Sequence, residues 1–212
     1  MRKIAVTLLH VISSPRKQRS ASIQVANAFI EAWKSKHPEG NIDTLNVWET
    51  DLLPFDNAAL DAKYAGLEGK TRTSEQQDAW EQIKELADRF HRADLIVFSV
   101  PMWNFGVPYR LKHLIDVVSQ KDVLFTFDER GLIGMLGGRT VVVIASRGAA
   151  HGDDYPIKDF DHQGAYLATW SRMVGIKDFH TITLERTLFG PEADAASRKE
   201  ASTQAVALAE VV

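Results

Sequence analysis

Short runs that are apolar at nearly every position alternate with longer amphipathic stretches along this chain, and the two textures predict strands and helices in turn. Residues 4–12 predict a buried first strand. Residues 20–36 set Ala26, Phe29, Ile30 and Trp33 on one helical face, and Pro38-Glu39-Gly40 ends that helix. Ile42, Leu45 and Val47 predict a second strand. Residues 52–73 show no regular period and are too long for a simple connection, so they predict an irregular functional or dimer-facing excursion. Ser74-Glu75-Gln76-Gln77 has the pattern of a capping box, opening a helix that buries Trp80, Ile83, Leu86, Ala87 and Phe90. Residues 95–100 form a continuously apolar third strand that Pro101 stops. Pro108 suits the first turn of the next helix, which buries Leu111, Leu114, Ile115 and Val118. Residues 123–133, with Phe125 and Phe127 alternating, predict a hairpin. A fourth strand at 140–145, a helix at 164–174, a fifth strand at 176–184 and an Ala-rich helix opened by Gly190-Pro191 complete the pattern.

Five strands alternating with helices predict an α/β fold: a doubly wound parallel sheet, order 2-1-3-4-5, with helices on both faces. The 212 residues fit one domain spanning 1–212. A net charge of -3 offers no basic face to nucleic acid. The chain has no cysteine, which excludes disulfides, thiolate nucleophiles, Fe–S clusters and cysteine-bound zinc. Redox chemistry here must therefore ride on a bound cofactor. The lack of disulfides favours a cytoplasmic location. Arg2-Lys3 before an apolar run imitates a signal peptide, but the run is short, carries His10 and lacks a small-residue cleavage site, so a strand explains it better. No stretch approaches the ~20 apolar residues of a membrane helix, so no membrane is expected as a partner.

In a sheet of this order ligands bind beyond the strand ends, where strand order reverses. Three loops lead there. The first, 13–22, carries Ser14, Ser20 and Ser22 before a helix and could cradle a phosphate, although Ser20 is equally an ordinary N-cap. The second, Pro101-Met102-Trp103-Asn104-Phe105-Gly106, sets a polar residue between two aromatics and suits a flat heteroaromatic ring. The third, Ser146-Arg147-Gly148-Ala149-Ala150-His151, has small residues whose backbone can approach a ligand, and a His that titrates near neutrality. No P-loop, G-x-G-x-x-G or G-x-S-x-G pattern occurs, which argues against ATP hydrolysis, a Rossmann dinucleotide site and a serine hydrolase.

Taken together, Ser14 with Ser20-Ala21-Ser22, then Pro101-Met102-Trp103-Asn104-Phe105, then Ser146 to His151 resemble the FMN-dependent NADH-azoreductases, which are also FMN-dependent NAD(P)H:quinone oxidoreductases of flavodoxin-like fold. Tyr166 to Trp170 and Phe189-Gly190-Pro191-Glu192 extend the resemblance over nearly the whole chain. It implies that Ser14, Ser20, Ala21 and Ser22 hold the FMN phosphate. Pro101, Met102, Trp103, Asn104 and Phe105 would lie along the isoalloxazine, and Ser146, Arg147, Gly148 and Ala149 at its pyrimidine side. The acceptor pocket would draw on Asn104, Phe105, His151, Trp170 and, across a homodimer interface, Phe125 and Phe127 of the hairpin. NADH or NADPH would deliver two electrons in a ping-pong cycle to small aromatic acceptors such as quinones and azo compounds. No catalytic side chain beyond FMN is required, with His151 a candidate for a proton or substrate contact. This chain has Trp103 where the family often has Tyr, Ala21 for Gln, Ala149 for Gly and Trp170 for Phe.

Three alternatives stand beside that expectation. A flavodoxin-type one-electron carrier would use the same fold, but such proteins are usually shorter and more acidic. An oligomeric FMN-binding regulator would hold flavin without turnover. A metal hydrolase could draw on His151, Asp153, Asp154 and His162, whereas His113 and Asp116 fit a surface helix pair.

Overall fold

A computed structural model of the chain describes residues 5–152 and 156–212. A five-stranded parallel sheet is built from β1 (Thr7–Ile12), β2 (Asn41–Asn46), β3 (Leu95–Pro101), β6 (Thr140–Ser146) and β7 (Asp178–Leu184), in the order β2-β1-β3-β6-β7. Without the antiparallel hairpin β4 (Phe125–Asp128) and β5 (Gly131–Gly134), this is the expected 2-1-3-4-5 order. The central strands β1, β3 and β6 are covered on both faces, which explains their unbroken apolar runs.

On one face, α1 (Ala21–Lys36) and α7 (Pro191–Ala209) bury Val25, Phe29, Trp33, Ala201 and Ala205 against Leu8, Val97 and Ile144. The alanines of α7 let it lie close to α1. On the other face, α3 (Ser74–Arg92), α4 (Tyr109–Val118) and α6 (His162–Met173) pack Phe90, Leu111, Leu114 and Leu167 against Leu9, Phe98 and Val143. Trp170 belongs to this core. It is 3% exposed, meets Phe90 and Phe98 edge-on, and donates its indole N–H to Ser119 Oγ at 2.9 Å.

Several local expectations shift. The capping box before α3 is Thr73 with Gln76, one residue earlier than Ser74 with Gln77: Thr73 Oγ1 accepts the Gln76 amide at 3.3 Å and Gln76 Oε1 accepts the Thr73 amide at 3.0 Å. Pro108 is the N-cap of α4 and not its first turn. The stretch 52–73 is not irregular, since it contains α2 (Asn57–Leu67), which buries Ala59 and Ala62, with Ala59 packed beside Ile83 and Val117. Its far end is fastened by Arg72, which donates to Ala62 O at 2.8 Å and lies 4.3 Å over the Trp80 ring. A short helix α5 (Ile157–Phe160) precedes α6. The hairpin root is clamped to the end of α6: Leu136 donates to Val174 O at 2.7 Å, and a Cβ on Gly134 would fall 2.0 Å from the Gly175 nitrogen. Among the described residues no helix is long and apolar enough to cross a membrane.

Candidate active site

The register of the central strands places the three loops side by side. Ile12 pairs with Ser99, and Pro101 pairs with Ser146, so the turns after β1, β3 and β6 leave the sheet at one edge. Strand order reverses between β1 and β3, which is where a sheet of this topology opens a crevice.

The first loop makes a one-turn 3-10 helix (Lys17–Arg19) and enters α1 at Ser20, whose Oγ accepts the Ile23 amide at 3.5 Å and lies 3.2 Å from Ser22 Oγ. Ser14, Ser20 and Ser22 are all buried, and the Ser22 hydroxyl steadies that of Ser20. Ser14 Oγ accepts the Arg16 amide at 3.4 Å. Ala21 and Ser22 occupy the first turn of α1, where amides lack helical acceptors and the helix dipole favours an anion.

The second loop is a tight two-residue turn. Trp103 and Gly106 exchange both backbone hydrogen bonds at 3.0 Å, and the residues between them, Asn104 and Phe105, have φ of 48° and 67°. Positive φ at both central positions is the type I′ pattern, which normally selects Asn-Gly. Asn tolerates it, whereas Phe is strained there. The backbone hydrogen bonds that close the turn are made by Trp103 and Gly106, not by Asn104 and Phe105. Phe105 packs against Phe160 at 5.1 Å and accepts the His162 amide at 3.1 Å. Met102 donates to Ser146 O at 2.7 Å, joining the second loop to the third.

Trp48, just past β2, was not singled out from the sequence. Its indole donates to Ser13 O at 2.9 Å, and its ring lies 5.8 Å from Trp103 and 5.4 Å from Tyr109. It therefore braces the first loop against the second. Its only sequence signal was an aromatic at a strand's carboxyl end.

In the third loop Arg147 turns inward. Its side chain is 5% exposed and reaches Asp161 Oδ2 at 2.6 Å, His151 Nδ1 at 2.7 Å, Gln163 Oε1 at 3.4 Å and Glu185 Oε1 at 3.4 Å. Its amide donates to Leu184 O and its carbonyl accepts from Thr187. Both side chain and backbone are engaged internally, so Arg147 supports the loop while also lining the smaller cavity described below. The His151 side chain is 7% exposed, with Nδ1 3.0 Å from Glu185 Oε1. Burial pushes the Glu185 carboxyl upward, but its hydrogen bonds from His151 and the Arg147 charge outweigh that and hold it below the usual carboxylate range.

Two of the cavities at this edge share Asn104. One of about 340 Å³ is lined by Met102, Asn104, Phe105 and residues 147–151. A larger one of about 980 Å³ has walls from Phe55, Trp103, Tyr109, His162 and Tyr166. Burial, helped by the Asp116 charge, pushes the Tyr166 hydroxyl up to about 12, so it stays protonated and can donate. Trp170, expected in the pocket, lies beneath it in the core. Phe125 and Phe127 pair edge-on at 5.7 Å on the hairpin, and neither is among the residues lining the two cavities. Of the residues considered for a metal, Asp153 and Asp154 lie outside the described residues. No metal-binding group of three or more His, Cys, Asp or Glu is found among the described residues. A flat cofactor with a phosphate tail fits this donor set: hydroxyl and helix amides at one end, turn amides in the middle, and small residues with backbone amides at the other.

Comparison with known proteins agrees with this geometry. Residues 6–208 match the family model described as flavodoxin-like fold. The chain is 55% identical to FMN-dependent NADH:quinone oxidoreductase 2 of Pseudomonas syringae pv. tomato, over 97% of this chain and 98% of that one. It is 50% identical to FMN-dependent NADH:quinone oxidoreductase 9 of Burkholderia lata, over 86% of this chain and 89% of that one. Among solved structures, an FMN-dependent NADH-azoreductase from Bacillus anthracis in complex with FMN superposes with a TM-score of 0.83 at 26% identity, covering 97% of this chain and 100% of that one.

Proposed function

This chain belongs to the flavodoxin-like family that includes the FMN-dependent NADH:quinone oxidoreductases, and from that premise we propose that it binds FMN and uses NADH to reduce quinones and aromatic azo compounds. FMN, when bound, supplies the two-electron chemistry. The observation that carries the proposal is the type I′ turn at Trp103–Gly106, set between a helix N-terminus and an arch of small residues at the switch point of the sheet.

The chain's residues then divide the work. Ser14, Ser20 and the first amides of α1 hold the phosphate. The Asn104 and Phe105 amides meet the middle of the ring system, and residues 148–150 meet its pyrimidine edge. Trp103 and Tyr109 wall a single open slot, so NADH and acceptor occupy it in turn. Tyr166 donates a hydrogen bond to an acceptor carbonyl from the floor of that slot. This large aromatic cavity favours turnover of small molecules over a one-electron carrier role.

A second copy of the chain completes the site. Tyr109, Phe127, Leu132 and Met135 are large apolar side chains left exposed in one chain. Pairing would cover them and bring Phe125 and Phe127 over the partner's cofactor.

Reconstitution tests the cofactor directly. One FMN should bind per chain, and Ser20→Ala should weaken FMN about tenfold while leaving riboflavin, which lacks the phosphate, unchanged. Failure of the chain to take up FMN overturns the proposal.

A further inference from the structure

The loop after β6 is an arch with two feet, Arg147 and His151, and one carboxylate ties both. Glu185, the first residue past β7, accepts the His151 backbone amide on Oε1 at 3.2 Å, lies 3.0 Å from His151 Nδ1 and 3.4 Å from an Arg147 guanidinium nitrogen. Arg147 is held from the other side by Asp161, which also caps α6 through the Gly164 amide at 2.7 Å. Between the feet stand Gly148, Ala149 and Ala150, whose side chains offer no polar group to anchor themselves. Inside the arch the Gly148 carbonyl accepts the Leu188 amide at 3.2 Å. The rest of the arch, Ala149 and Ala150, depends on what holds its feet.

We propose that Glu185 is a positioning residue for the cofactor, closing the arch so that the amides of residues 148–150 face the smaller cavity and meet the pyrimidine edge of the flavin. This rests on the flavin reading above. Glu185 itself does not line that cavity, and it acts through Arg147 and His151. Amides fixed beforehand toward a place where negative charge develops stabilise that charge without reorganising. An arch with loose feet must order itself on binding, which weakens affinity, and it loses part of its preference for the reduced cofactor.

The test compares wild type, Glu185→Ala and Glu185→Gln for FMN and riboflavin dissociation constants and for the two-electron midpoint potential. Glu185→Ala is expected to weaken FMN and riboflavin by the same factor, about tenfold, because the phosphate turn is untouched. It is also expected to lose about tenfold in preference for reduced flavin, a fall of ~30 mV for a two-electron couple. Glu185→Gln keeps an oxygen for the His151 amide and should recover most of both losses. If Glu185→Ala does not fold, Glu185→Gln carries the test, with a loss of about threefold expected for both flavins. Flavin affinities within twofold of wild type and an unchanged potential in the folded variant overturn the proposal, as does a loss confined to FMN. Wild-type protein that takes up neither flavin overturns the cofactor reading and this proposal with it. Wild type that binds FMN beside an unaffected variant overturns this proposal alone.

Discussion

Phe105 is the residue where local preference and placement disagree most. Its φ of 67° is one that glycine would adopt without strain, yet a large ring stands there. Phe105→Gly should relieve about 1 kcal/mol of backbone strain, offsetting much of the lost contact with Phe160. The expected result is a near-unchanged melting temperature with NADH-dependent quinone reduction down tenfold or more; a large loss of stability with full activity would contradict it. His10 poses a different case. It is buried in β1 with Nε2 3.0 Å from Ser99 Oγ, and burial lowers its pKa from 6.5 to about 4. A histidine whose folded pKa lies below its unfolded one resists protonation in the native state, so stability falls as pH drops from about 6.5 towards 4 and is unaffected above that window. The full difference is worth about 3 kcal/mol. Urea midpoints of wild type should therefore fall more steeply than those of His10→Gln between those pH values, and parallel curves would refute the assignment. These residues were partly legible in the sequence. Ser20 and Asn104 stood out because turn and cap chemistry is local. The inward turn of Arg147 and the core position of Trp170 were not legible, because the direction of a side chain depends on neighbours far along the chain, such as Asp161 and Phe98.

At the scale of elements, the strands and large helices follow from periodicity because the sheet is buried on both faces and its helices carry wide apolar stripes. The helix α2 did not, because it packs through Ala59 and Ala62, which leave a faint period. The hairpin was visible in its alternation, but its anchoring was not. Gly134 and Gly175 touch backbone to backbone, and no sequence spacing reports that approach. Gly134→Ala should destabilise the protein by about 1–3 kcal/mol through overpacking, measurable as a lower urea midpoint. An unchanged midpoint would show that the hairpin root is free to move.

At the scale of the whole molecule, the account is that a doubly wound sheet brings three separate loops to one edge, where they form one cofactor site. Individually each loop has an ordinary structural explanation. Their side-by-side register, from Ile12 with Ser99 to Pro101 with Ser146, brings them to the same edge, and the proposal joins them into one site. The exposed apolar face predicts that the protein sediments at twice the mass of one chain, and that Phe127→Asp lowers that mass to one chain's. A wild-type monomer at micromolar concentration would remove the partner from the site. The most direct measurement of the central claim is an anaerobic titration of FMN-loaded protein with NADH, followed by a quinone. The account predicts that the flavin absorbance near ~450 nm bleaches with one equivalent of NADH and returns with one equivalent of quinone. A flavin that binds but stays oxidised in NADH would contradict it.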